Sequence, residues 1–278
     1  MVPTINIITM AVLLVVSLLL PIVGCLIVKR RTKVSIVSLF IGMAVFAVCF
    51  VIGTATSYLA SLFIASPIDL TIVLTLVFSL RAGLVEEFGR FVAFKWMLKK
   101  RNKIGDSLMY GVGHGGMEVW LILTLSLASS LVLAFMANSG SMDTVIAAAP
   151  EQADALNASV AVLADSSPLY LSAGLLERII AMTVHIALSV IVFCAVRQRK
   201  WRYLLLAIAL HTLVDASTVL YTTGLIGVWA IEGVLAGIVA IVVVIAWRIA
   251  RGYRPPLEAW EAAPPPPPSS PALSEPPM

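Results

Sequence analysis

The run INIITMAVLLVVSLLLPIVGCLIV (residues 5–28) is followed at once by KRRTK (residues 29–33). How this junction is read decides the fold. The run holds no charged residue and is long enough to cross the hydrocarbon core of a bilayer. It lacks a basic stretch before it and exceeds the usual apolar core of a signal peptide, so it reads as an uncleaved span. The basic residues after it mark a cytoplasmic edge.

The same pattern recurs outward from this run. Candidate spans cover roughly 5–28, 34–58, 69–98, 106–136, 169–196, 203–222 and 225–247, about seven in all. The chain is 60% hydrophobic and 12% charged over 278 residues, a composition that belongs in lipid. Fifteen of its nineteen Lys and Arg fall in four clusters, KRRTK, KKRNK (99–103), RQRKWR (197–202) and RIARGYR (248–254). These follow spans one, three, five and seven, and the alternate connections carry no Lys or Arg. The expected fold is therefore an all-α, polytopic transmembrane helical bundle with its N-terminus outside and its C-terminus cytoplasmic. The net charge of +4 reports membrane orientation and not a nucleic-acid partner. Cys25, Cys49 and Cys194 lie in apolar runs without metal-binding spacing and read as small buried hydrophobes.

Residues 1–254 form the expected membrane domain. The extracytoplasmic loop 137–168 carries Asp143, Glu151, Asp154 and Asp165 and an Ala-rich stretch that fits a short interfacial helix. It reads as a connector rather than a lid. From 255 to 278 the chain is a proline-rich cytoplasmic tail, expected to be disordered or polyproline-like and able to dock a partner.

Ionisable residues inside spans are expensive and persist when paired or when they do chemistry. His114, His185 and His211 all lie inside spans, with Glu86, Glu87, Arg90, Glu118 and Asp215. Counted from the nearest basic cluster at about 1.5 Å per residue, all of them sit roughly 14–23 Å into the membrane. Four helices would thus bring polar groups to one layer. Glu86 and Arg90, His114 and Glu118, and His211 and Asp215 are spaced i,i+4, so each pair shares a helix face. A higher set, Arg81, Glu177, Arg178 and Glu232, balances in charge and reads as ion pairs holding helices in register. Gly111, Gly113 and Gly116 satisfy GxGxxG, but no strand precedes them; small residues here read as close helix contacts.

Two chemistries fit such a layer. A metal, most naturally zinc, could be held by ligands drawn from His114, Glu118, His185, His211 and Asp215. Alternatively, a desolvated glutamate acts as a general base on water, with histidines at the oxyanion and no cofactor required. A layer serving only stability is the bland alternative. HExxH and GxSxG are both absent from the sequence.

EExxR (Glu86, Glu87, Arg90), GHGGxE (from Gly113, with His114 and Glu118) and HxxxD (His211, Asp215) occur in that order on successive spans. This ordered set resembles the YhfC family of intramembrane proteases, grouped with the CAAX-processing and bacteriocin-immunity membrane proteases and with PrsW. The resemblance covers spans three to six and extends over about residues 5–250. It implies a peptidase that cuts membrane-embedded or membrane-anchored substrates, in which Glu86 activates water. Glu87 and Arg90 would position or balance it, His114 and His211 would bind the oxyanion or the water, and Asp215 would orient His211. The CAAX-type pattern differs from this chain, with three residues between the glutamate pair and the arginine where two stand here. Older descriptions of such proteins as metalloproteases keep zinc in view. The implied setting is a multi-pass protein of the cell membrane, of the bacterial plasma-membrane type, with lipid and a membrane protein or peptide as partners. The rival functions are a non-catalytic scaffold for partner helices and a proton- or cation-coupled transporter. The transporter is disfavoured because the sequence shows no internal repeat.

Overall fold

In lipid every backbone N–H and C=O must be satisfied within the chain, so long apolar runs have helix as their outlet. The computed structural model describes residues 1–63 and 71–254, and all their regular structure is helical. The long helices are α1 (Thr4–Thr32), α2 (Val37–Phe63), α3 (Thr71–Val92), α4 (Ile104–Glu118) and α5 (Leu125–Ser139). Two short helices, α6 (Met142–Ala148) and α7 (Ala153–Asp165), follow. The chain closes with α8 (Pro168–Arg197), α9 (Trp201–Ser217), the single turn α10 (Val219–Thr222) and α11 (Val228–Arg251). A π-helical segment, Val119–Thr124, fuses α4 and α5 into one span, Ile104–Ser139. A second, Ala93–Met97, continues α3.

Among the described residues, six helices are long and apolar enough to cross a membrane, close to the expected seven. The seventh long helix, α3, has 22 residues and carries Arg81, Glu86, Glu87 and Arg90, which lowers its apolarity. It packs against α2, α8 and α9. The SPID turn and the proline-rich tail lie outside the described residues.

One helix is the axis of the bundle. The most apolar stretch of α8 is 72% buried, against 17–28% for the other five spans. From Ala187 to Ala195 its residues are continuously buried, and α1, α4, α9 and α11 pack around it. The outer helices turn apolar side chains such as Val15, Phe40, Val48, Leu213 and Val244 outward, where lipid replaces water as solvent.

The glycines of α4 let that helix sit tightly among three neighbours. A Cβ on Gly113 would lie 2.0 Å from the Leu39 carbonyl oxygen of α2, and one on Gly111 would lie 2.5 Å from Ile186 Cα of α8. Gly116 receives Pro21 of α1. The reading of these glycines as packing contacts therefore holds. Gly113→Val is expected to push α2 from α4 and to cost at least roughly 1–3 kcal/mol, the usual penalty of overpacking. A lowered unfolding midpoint in detergent, without loss of helical circular dichroism at low temperature, is the expected result.

The four basic clusters gather at one end of the bundle. Arg197 donates from Nη1 to the Phe94 carbonyl at 2.9 Å and from Nη2 to the Leu98 carbonyl at 2.6 Å, capping the end of the α3 extension. Tyr253 Oη donates to the Asn102 carbonyl at 2.7 Å. Gly105 abuts Thr32 and Val34. The positive-inside rule assigns this end to the cytoplasm. At the opposite end α6 and α7 form the 137–168 connection. Buried Asn6 ties it to α1 by donating from Nδ2 to the Leu163 and Ser166 carbonyls, both at 2.8 Å. Leu163 packs with Met10 and Leu127, so α7 is held against α1 and α5.

Candidate active site

Four helices, α3, α4, α8 and α9, carry ionisable side chains to one buried cluster. α3 supplies Glu86, Glu87 and Arg90 just before its π-helical extension, and α4 supplies His114 and Glu118 just before its own. Such widened turns recur at functional sites. α8 supplies His185, and α9 supplies His211 and Asp215. The three imidazoles form a row, with ring centroids 4.8 Å apart for His114–His185 and 5.3 Å apart for His185–His211.

Glu86 lies at the focus of that row. Its Oε2 is 3.0 Å from His114 Nε2, 3.9 Å from His211 Nε2 and 4.0 Å from His185 Nδ1. Its side chain is 15% exposed, whereas the adjacent Glu87 is fully buried. That difference separates the roles open to two neighbouring glutamates. Glu86 lines a cleft of about 470 Å³ that also exposes Glu118, Arg81, Thr54 and Tyr58. Glu87 is held from within, by Arg90 Nη1 and by His211 Nδ1 at 2.7 Å.

Donor and acceptor logic fixes two tautomers. Glu87 is ion-paired with Arg90 and can only accept, so His211 donates from Nδ1 and turns Nε2 towards Glu86 and the cleft. Arginine has no acceptor, so His185 Nδ1 accepts from Arg90 Nη2 at 3.1 Å. Its Nε2 then carries the hydrogen, 2.6 Å from Glu118 Oε2. Arg178 anchors the other oxygen of Glu118 and also pairs with Glu177. A continuous chain of charge and imidazole thus runs Arg178–Glu118–His185–Arg90–Glu87–His211. His114 is fully buried, with the edge of Phe46 against its ring at 5.1 Å, and its Nδ1 has no partner among the described residues.

All seven residues of the sequence motifs reach this cluster, where most of their close contacts are made across helices rather than within the i,i+4 pairs. Arg90 pairs with Glu87, one residue nearer, and not with Glu86. His114 and Glu118 do not face each other; one meets Glu86 and the other meets His185. Asp215 does not orient His211 through Nδ1, because Glu87 does; its Oδ2 is 3.5 Å from Nε2, and its side chain is 38% exposed. His185, outside the motifs, proves to be the hub. Its depth in the membrane was the signal that could find it. Arg178, placed at sequence level in the outer set, belongs to the site through Glu118. Within that set Glu177 pairs with Arg178 on the same helix, whereas Arg81 and Glu232 form no ion pair among the described residues. Arg81 donates to neutral acceptors, and buried Glu232 has an Oε2 without a partner among the described residues.

The donor set also bears on a metal. Among the described residues, Glu86, His185 and His211 bring ligand atoms within 4.8 Å of one another. His114, Glu118 and Asp215, candidates by sequence, fall outside this group. One carboxylate and two imidazoles are the ligand types of an open zinc site. His211 has the outer support that ligating imidazoles use, with Nδ1 on a carboxylate and its Nε2 lone pair inward. His185 would have to give up its bond from Arg90 to serve. The residues therefore fit such an ion.

Fold and site together define a multi-pass membrane protein with a carboxylate–histidine centre buried in its helices. A family model described as YhfC intramembrane metalloprotease matches residues 16–236, and the chain belongs to this family. It is 35% identical over 161 residues to a Bacillus subtilis (strain 168) protein named "Uncharacterized membrane protein YhfC". The match spans 58% of this chain and 62% of that protein.

Proposed function

We propose that this protein is an intramembrane peptidase in which Glu86 activates water against a peptide bond of a membrane-embedded or membrane-anchored substrate. The observation that carries this reading is the convergence of three imidazole nitrogens on one glutamate oxygen, on the glutamate that lines the cleft. Glu86 accepts one proton of water as the water oxygen adds to the scissile carbonyl. The same proton passes to the amide nitrogen as the C–N bond breaks, which leaves a carboxyl and an amine. His114 donates to Glu86 and aims it. As an imidazolium, with Nδ1–H on Glu87, His211 would donate from Nε2 to the oxyanion. Glu87 holds His211 Nδ1 as a donor, and Arg90 holds His185 Nδ1 as an acceptor. The family description and the fit of Glu86, His185 and His211 support a metal-dependent version. Those three residues would hold the ion, and when bound it would polarise the carbonyl and acidify water.

Purified protein in liposomes is expected to change the mass of a co-reconstituted membrane peptide. Metal analysis of the same sample, with chelator added to the cleavage assay, separates the versions. Loss of cleavage that returns with zinc marks metal dependence, and cleavage unchanged by chelator in metal-free protein marks the glutamate alone. Stable co-purification of a membrane partner whose mass never changes would instead favour the scaffold.

A further inference from the structure

We propose that Arg81 forms an anion subsite that reads a carboxylate on the extracytoplasmic side of the bond to be cut, an inference that rests on the peptidase reading. Two clefts adjoin along the α2–α3 seam and share Cys49 and Val85. The cytoplasmic one, about 660 Å³, is walled by apolar side chains including Val45, Val48, Phe88, Val92 and Met97. The other holds Glu86 and, further towards the extracytoplasmic end, Ser57, Tyr58 and Arg81. A chain lying in the seam would set an apolar anchor below Glu86 and a polar segment above it.

Arg81 differs from the other arginines of the spans. Arg90 and Arg178 each pair with a carboxylate. Arg81 donates from Nη1 to the Gly53 carbonyl at 2.8 Å, to Thr56 Oγ1 at 2.8 Å and to Ser57 Oγ at 2.9 Å, all neutral. Among the described residues no carboxylate lies within ion-pair reach of it, and Nε and Nη2 have no acceptor. A cation within a span is stabilised by an opposite charge, by backbone carbonyls or by water. Arg81 has the Gly53 carbonyl, two hydroxyls and the Phe78 ring, 4.9 Å from its Cζ, but no counter-charge among the described residues. The two Nη1 hydrogens are shared among these three acceptors, which holds that edge of the guanidinium against α2 and leaves the Nε and Nη2 donors for a carboxylate. The anion comes from substrate and not from a lipid headgroup. Arg81 lies ten residues into α3, roughly 15 Å below its extracytoplasmic end, beneath the phosphate layer. Five residues separate it from Glu86, roughly 7.5 Å along the helix axis. An extended chain covers that rise in about two to three residues.

The test measures binding to Glu86→Gln protein in nanodiscs, so that turnover plays no part. The probes are fluorescent synthetic peptides with an apolar anchor and Asp or Asn scanned two to four residues either side of the anchor boundary. At one position Asp is expected to bind at least about tenfold tighter than Asn, the size of a hydrogen bond to a charged group. Adding Arg81→Gln should bring that ratio to about one, and Arg81→Lys should keep part of it. Equal binding of Asp and Asn peptides at every position overturns the subsite, and this comparison needs no Arg81 variant to fold. So does a ratio unchanged in Arg81→Gln, or an Asp preference abolished when phosphatidylglycerol replaces zwitterionic lipid, which would assign the site to lipid phosphate. If the Asp peptide binds selectively but protein with Glu86 intact never cleaves it, the peptidase reading fails and the subsite stands.

Discussion

Glu86→Gln is expected to lower peptide cleavage by about 10²–10⁴-fold, the span that general acid–base groups contribute. It should leave the unfolding midpoint nearly unchanged. Both halves of the expectation follow from the position of Glu86. It is the glutamate of the adjacent pair that reaches the cleft, and its one close contact is His114 at 3.0 Å. A glutamine oxygen can still accept from His114, so the packing and the hydrogen bond survive while the basicity is lost. Glu118→Gln is the informative contrast. Glu118 also lines the cleft, but Arg178 and His185 both depend on its charge. That variant should lose stability along with activity. Product masses, initial rates and thermal midpoints measured on the same preparations would check all of this. Normal turnover by the Glu86→Gln protein would remove Glu86 from the role of base.

What could be read from the sequence was set by what is local along the chain. Apolar run length and the placement of Lys and Arg are local, so the bundle and its orientation were legible. So was the shared depth of the three histidines, because the rise per residue of a helix is constant. Partner choice is not local. Spacing i,i+4 puts Glu86 and Arg90 on one face, but the backbone says nothing of α9, whose His211 takes Glu87 and leaves Glu86 to α4. Depth placed His185 in the layer, but its role as hub was not legible, since both of its close partners come from other helices, Arg90 of α3 and Glu118 of α4. Arg81 looked like half of an ion pair for the same reason. Charge balance along a sequence does not reveal that its acceptors are a carbonyl and two hydroxyls of α2.

Arg90→Met alone is expected to destabilise the protein by roughly 3–5 kcal/mol, the cost of leaving a buried charge unpaired. Arg90 and Glu87 are both fully buried and ion-paired. Without Arg90, Glu87 keeps His211 as its one close contact and must hold its charge far from water. The double variant Arg90→Met/Glu87→Leu removes both charges and fills similar volume. It should recover most of the lost stability, because well-packed apolar residues replace buried ion pairs at little cost or with a gain. Activity should not return with it. His211 would lack the carboxylate that takes its Nδ1 hydrogen, and His185 would lack the donor that fixes its Nδ1 as acceptor. Stability and cleavage therefore part company in the double variant, which a purely structural role for this layer does not allow. Thermal unfolding in detergent and cleavage in liposomes, run on wild type, both singles and the double, give the comparison. A double variant as unstable as Arg90→Met would mean that the pair's charges are not what its packing balances, and a double variant that cleaves at the wild-type rate would strip Glu87 and Arg90 of any part in holding the imidazoles.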